Sequence, residues 1–148
     1  MVSELNQVGD RLLVIFDGHC GLCNHSVRWL LPRDRNDRLR FVASQSEKIA
    51  GLLARHELNA GAANGPDTLL VAQNVGLPGE RVLMRSNGVL AVLGQLPQPW
   101  RFFAGVLRLI PRPLRDLGYR VIARLRYRIW GRLDACPIPT AAERIRFI

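Results

Sequence analysis

The chain has 148 residues, with 21 basic against 12 acidic side chains for a formal net charge of +9, and only three cysteines. That length suits one domain able to bury about 70% of the surface its unfolded form exposes, so disulfide staples are not needed and a small odd cysteine count argues against a stapled secreted scaffold. "MVSELNQVGD" lacks the basic and apolar regions of a signal peptide and no run reaches the ~18 apolar residues of a membrane span, which makes a reducing cytoplasm the expected compartment.

"RLLVIF" (11–16) is short, apolar and β-branched in its middle, and predicts a buried strand. Residues 20–31 then place Cys23, Val27, Leu30 and Leu31 on one helical face, and Pro32 closes that helix into the loop "PRDRND". "RLRFVA" (38–43) predicts a second strand. "SEKIAGLLARH" (46–56) predicts a helix with Ser46 as its N-cap, and "NAGAANG" (59–65) a loop. "DTLLVAQ" (67–73) and "ERVLMR" (80–85) flank "NVGLPG" as a hairpin, and "SNGVLAVLGQL" (86–96) predicts a helix opened by Ser86. The order β-α-β-α-β-β-α is that of an α/β, thioredoxin-like core spanning 11–96.

From residue 97 the character changes. Residues 1–99 hold 10 basic and 9 acidic side chains, whereas 100–148 hold 11 arginines and 3 acids, so +8 of the net charge lies in the last third. Two helices are predicted, at roughly 99–110 and 113–131. In the second, Leu114, Leu117, Val121, Leu125 and Ile129 form an apolar stripe, with Arg120, Arg124 and Arg128 recurring beside it. So apolar a segment is expected to pack on the first 96 residues as a basic helical C-terminal extension, the whole forming a single domain.

The chemistry concentrates in "FDGHCGLC", where a strand ends at Asp17 and two cysteines follow at C-x-x-C spacing. A free thiol is only about 3% thiolate at pH 7, and a helix N-terminus raises that fraction through its unsatisfied N–H groups and positive dipole end. C-x-x-C beside a β-α-β pattern reads as a thioredoxin-like redox motif. Cys20 is then the candidate nucleophile, and Cys23, one turn further in, the resolving thiol. Asp17 has two possible roles: accepting N–H bonds that fix the turn, which its position at the strand end favours, or relaying a proton to and from Cys23. Gly18 permits the sharp turn. His19, when protonated, favours a thiolate at Cys20.

The motif resembles the D-x-x-C-x-x-C signature of the DCC family, small bacterial-type thiol-disulfide oxidoreductases regarded as thioredoxin-like. "RFVASQS", "RSNGVLAVL", "LRDLGYRVIARLRYRIWG" and "CPIP…RIRFI" are similar to later blocks of that family, so the resemblance spans roughly 11–148. It implies a redox site at Asp17, Cys20 and Cys23 and protein-disulfide reductase activity. No bound cofactor is expected. The partners would be a protein or small-molecule disulfide and an electron donor that the sequence does not identify. Thioredoxins place a cis-proline directly before the third strand; here Pro66 stands one residue early, with Asp67 next.

The same residues admit other readings. Zinc at Cys20, Cys23 and His19 or His25 would lack a second cysteine pair, Cys136 being distant and expected to be structural or incidental. A haloacid-dehalogenase-type phosphatase would need an aspartate where His19 stands. His25 and His56 are expected on helix surfaces, and Trp29, Trp100 and Trp130 in packing. The basic helices are expected to present a solvated face, with anionic membrane surface or nucleic acid as further possibilities; no specific nucleic-acid fold signature is present. The alternative from another class is a non-catalytic binding module, holding a metal through Cys20 and Cys23 or docking to an acidic partner or membrane surface through the tail.

Overall fold

A computed structural model of the chain describes residues 8–16, 21–43, 46–56, 70–130 and 144–148. The elements run β1 (Leu12–Phe16), α1 (Gly21–Leu30), β2 (Leu39–Ala43), α2 (Ala50–Arg55, entered through a 3₁₀ turn at Glu47–Ile49), β3 (Leu70–Gln73), β4 (Arg81–Met84), α3 (Arg85–Gln95), α4 (Trp100–Arg108) and α5 (Arg112–Trp130). A second 3₁₀ turn covers Arg144–Arg146. The four strands form one mixed sheet in the order β2-β1-β3-β4. β1 pairs parallel to β2 and antiparallel to β3, and β3 pairs antiparallel to β4. This is the α/β, thioredoxin-like arrangement predicted from the element order.

All five residues of β1 are buried, so both faces of the sheet carry a core. Side chains alternate along a strand. Leu13 and Ile15 join Val42, Leu70 and Ala72 beneath Ile49, Leu52 and Leu53 on the α2 side. Leu12, Val14 and Phe16 join Leu39, Phe41 and Val71 beneath Val27 and Leu30 of α1 and Val92 of α3. Burying each such side chain is worth about 1.5–3 kcal/mol. Gly88 lets α3 approach β3 closely: a Cβ there would stand 3.1 Å from Val71 Cγ2.

Ser46 accepts the Lys48 N–H at 3.3 Å and caps the 3₁₀ turn before α2, as the sequence suggests. Ser86 behaves differently. Met84 occupies the N-cap of α3, without a side-chain cap, and Ser86 lies inside the first turn, buried, donating its hydroxyl to the Asp116 carboxylate of α5. The serine preference for caps is overridden here by a partner 30 residues away. α3 thereby becomes the platform for the last two helices: α4 and α5 both pack on it, and α5 packs on α1 as well. Trp29 of α1 meets Trp100 of α4 edge-on at 4.7 Å, with the Arg33 guanidinium 4.2 Å over the Trp29 ring.

The stripe Leu114, Leu117, Val121 and Leu125 faces solvent, while α5 packs on α1 and α3. Its Asp116 lies on the packed side, accepting the Ser86 hydroxyl. Ala104, not the phenylalanines beside it, is the buried residue of α4.

The loop after α1 is closed by one carboxylate. Asp34, 1% exposed, accepts the N–H groups of Arg38 at 2.9 Å and Leu39 at 3.0 Å, and Arg146 NH1 lies 3.2 Å from its Oδ2. Arg146 also donates to the Leu31 and Asp34 carbonyls, at 3.1 and 3.2 Å. Phe147 then bridges to Phe41 of β2, and the Ile148 N–H donates to the Phe41 carbonyl at 3.1 Å, covering the edge of that strand. On the far side, Glu80 closes the β3–β4 hairpin. It accepts the Gly76 N–H at 2.6 Å, pairs with Arg55 at 3.0 Å and meets His56 Nε2 at 2.9 Å. His56 is therefore a half-buried bridge to the hairpin, whereas His25 is exposed on α1 as expected.

Two predictions follow from these carboxylates. Asp34→Ala leaves two strand-entry N–H groups without their acceptor and takes the carboxylate away from the Arg146 guanidinium, and should cost about 2–4 kcal/mol in urea unfolding, with Asp34→Asn costing less. An unchanged midpoint for the alanine variant contradicts that role. The Arg55 guanidinium above all, helped by the Gly76 and His56 bonds, holds the Glu80 carboxyl down to about 2 from an ordinary 4.5. A depressed folded-state pKa gives stability that is present above the unfolded value and lost as pH falls from about 4.5 towards 2. With Arg55 half exposed, solvent screening leaves about 1–2 kcal/mol of it. Glu80→Gln should remove that component, so that wild type and variant converge in stability as acid is added; parallel curves across that range would contradict it.

Candidate redox site at the strand-to-helix turn

The site is framed by two elements that the sequence dictates locally. β1 ends at Phe16, 3% exposed and paired in register with Ala43 of β2. α1 begins at Gly21. Between them stand Asp17, Gly18, His19 and Cys20, which lie outside the described residues. Cys23 is the third residue of α1, so its backbone belongs to the first helical turn; its side chain, too, lies outside what is described. Pro66, Asp67, Cys136 and the side chains of Arg85, Arg126, Tyr127 and Trp130 are likewise outside.

The described frame has a definite electrostatic sense. The first turn of α1 contains no acidic residue, and its last turn contains Arg28. The N–H groups of a first turn lack intrahelical partners and carry the positive end of the macrodipole. No carboxylate within that turn offsets the positive end of the dipole. Val27 and Leu30 anchor one face of α1 in the core. Phe147 approaches Phe16 with ring centroids 6.2 Å apart, so residues distant in sequence pack at the end of the strand that leads into the turn.

α5 adds an unusual group. Arg115 Nε and NH1 are shielded from solvent with no hydrogen-bond partner among the described residues. Its helix packs on both α1 and α3. Asp116, next in sequence, is committed to Ser86 and lies 3.6 Å from Arg112 Nε. Sequence reasoning had no signal for the Ser86–Asp116 pair, because nothing in a helix-opening serine indicates a carboxylate on another helix. The buried Asp34 was equally hidden within an ordinary polar loop.

Among the described residues no three His, Cys, Asp or Glu side chains gather as they would around a metal ion. Within the same residues no helix is long and apolar enough to cross a membrane.

Comparison with known proteins bears on this frame directly. The chain is 32% identical over 148 residues to the uncharacterized protein YuxK of Bacillus subtilis (strain 168), covering 100% of this chain and 99% of that one. It is 33% identical over 136 residues to a chloroplastic DCC family protein of Arabidopsis thaliana, covering 92% of this chain and 74% of the relative. No solved structure gives a significant match. The sequence model described as DCC1-like thiol-disulfide oxidoreductase matches residues 14–132, from the middle of β1 past the end of α5. By that match, and by relatives aligned along nearly its whole length, the chain belongs to the DCC1-like thiol-disulfide oxidoreductase family, and a thiol-disulfide oxidoreductase-like function goes with that membership.

Proposed function

We propose that the protein is a dithiol–disulfide exchange enzyme of the protein-disulfide reductase type, with Cys20 as nucleophile and Cys23 as resolving thiol. The observation that carries this reading is the start of α1 at Gly21, immediately after Cys20 in a chain that matches an oxidoreductase family. A first turn without acidic side chains supports an anion at that end.

In the reductive direction, the Cys20 thiolate attacks one sulfur of a substrate disulfide. The substrate S–S bond breaks, a mixed disulfide forms, and the departing thiolate takes a proton from solvent. Cys23 then loses its proton and attacks the Cys20 sulfur, releasing the second substrate thiol and leaving a Cys20–Cys23 disulfide. Two electrons have passed to the substrate, and a dithiol donor must return them. The dithiol is itself the redox group, so the reading requires no bound cofactor and no metal. The substrate class is a protein or small-molecule disulfide, and the compartment a reducing one such as the cytoplasm. Asp17 fixes the turn by accepting its N–H groups, Gly18 allows the bend, and His19 favours the thiolate when protonated.

The decisive comparison is between the two cysteine variants, treated identically near neutral pH with a small aromatic disulfide and read by mass spectrometry. Cys23→Ser should accumulate a stable mixed disulfide and Cys20→Ser should trap little; both should lose insulin reduction by dithiothreitol down to background. More trapping in Cys20→Ser reverses the two roles. No trapping in either folded variant, together with stoichiometric metal in the reduced wild type, favours a metal-holding binding module instead.

Asp17→Asn separates its two roles. A turn-fixing residue should lose only a few-fold in rate, because the amide still accepts N–H bonds. A proton relay should lose about 100-fold or more and one ionisation from the pH–rate profile. The first result is the expected one.

A further inference from the structure

We propose that the outer face of α4 and α5 docks the protein on an anionic phospholipid bilayer. This inference stands on the helical extension alone and does not rest on the cysteine assignment.

Thirteen large apolar side chains are exposed among the described residues, and ten of them lie between residues 102 and 125. Phe102 is 63% exposed, Leu109 83%, Leu114 59% and Leu117 57%, with Val106 and Val121 beside them. Scattered exposed apolar residues are normal; a concentration of this kind marks an interaction surface. Leu114, Leu117, Val121 and Leu125 recur at helical spacing and so share one face of α5. Arg120, Arg124 and Arg128 recur every four residues alongside, and Arg101 and Arg108 flank the apolar side chains of α4; all five are exposed.

Charge decides the occupant. Residues 100–130 hold eight arginines and one acid, Asp116. That carboxylate is turned to Ser86 and Arg112, and its side chain is only 15% exposed, so it does not neutralise the outer arginines. A second copy of the chain on this face would set two arginine rows against each other. A nucleic acid would occupy the arginines and leave Phe102, Leu109 and Leu117 in water. The boundary between lipid headgroups and acyl chains satisfies both at once: phosphates take the guanidinium groups, which reach outward on long apolar stems, and the acyl edge takes the aliphatic and aromatic side chains. No described helix is long and apolar enough to span, so the helices would lie on the surface.

Flotation of the full reduced chain with vesicles tests this, using equimolar phosphatidylcholine and phosphatidylglycerol against pure phosphatidylcholine at physiological salt. The wild type should float with the anionic vesicles and far less with the neutral ones. Leu117→Ser/Val121→Ser keeps the full net charge and replaces only exposed residues, so circular dichroism should be unchanged. Its partition should nevertheless fall about tenfold or more. Arg120→Gln/Arg124→Gln/Arg128→Gln should fall at least as far. Several outcomes overturn the proposal. These are no flotation with anionic vesicles, equal flotation with both vesicle types, or undiminished flotation of the leucine–valine variant, which would reduce the effect to adhesion of a cationic protein. A dimer in sedimentation equilibrium that the same variant abolishes would assign the face to a second copy. Binding to polyglutamate that the same variant weakens equally would assign it to an acidic protein.

Discussion

Everything in this fold hangs on β1 being buried on both faces and paired on both edges. Five consecutive apolar residues leave no side of the strand that water can wet, so the chain must supply a neighbour in each direction and a helical layer above and below. The parallel partner β2 has to be reached by a crossover, which makes α1 obligatory. The antiparallel partner β3 brings β4 with it. The same requirement fixes the turn after Phe16: the strand stops at a polar residue and a helix starts five positions on, so the D-x-x-C-x-x-C segment spans a junction between two well-anchored elements.

The second organising element is α3. It covers β3 through the close approach at Gly88, and its other sides receive α4 and α5. Among the described residues, a buried serine donating to a carboxylate and a tryptophan pair under a guanidinium tie those helices to the rest of the fold. The consequence is a division of labour within each helix. Ala104 of α4 and Asp116 of α5 face inward, whereas Phe102, Leu109, Leu114 and Leu117 stay outside. Such an arrangement is costly in water, since the same side chains would stabilise the fold if turned inward.

The carboxylates show the same economy. Asp34, Glu80 and Asp116 each gather groups from segments far apart in sequence; Asp34 and Glu80 do so where a backbone turn needs an acceptor, and Asp116 where a buried hydroxyl does. Arginine is the usual partner, and its planar fork suits that task better than a lysine would. The basic excess of the last third therefore has two parts. Arg112 and Arg146 serve the fold, whereas Arg101, Arg108, Arg120, Arg124 and Arg128 face outward.

The element order and the fold class are properties of the sequence alone, and the described residues have the same order, with boundaries shifted by up to three residues. Strand and helix periodicities are local: the unbroken apolar run of β1, the spacing of Val27, Leu30 and Leu31, and the glycine-proline hairpin each declare themselves within a few residues. The family is legible for the same reason, because its motifs are short and contiguous. The roles proposed for Cys20, Cys23 and Asp17 rest on spacing, beside which the described frame puts a first turn of α1 without acidic side chains. What only the tertiary structure decided were the long-range pairings and the direction each helix faces. Ser86 has a cap-like sequence context yet bonds Asp116; His56 sits at a helix end yet bridges to Glu80; Asp34 lies in a loop yet holds Arg146. The stripe on α5 has the pattern of a core face and is exposed. Periodicity shows that a helix has an apolar side, but which side is buried depends on what the rest of the chain places against it. Here that was settled by a serine on α3 and a carboxylate on the opposite side of the stripe.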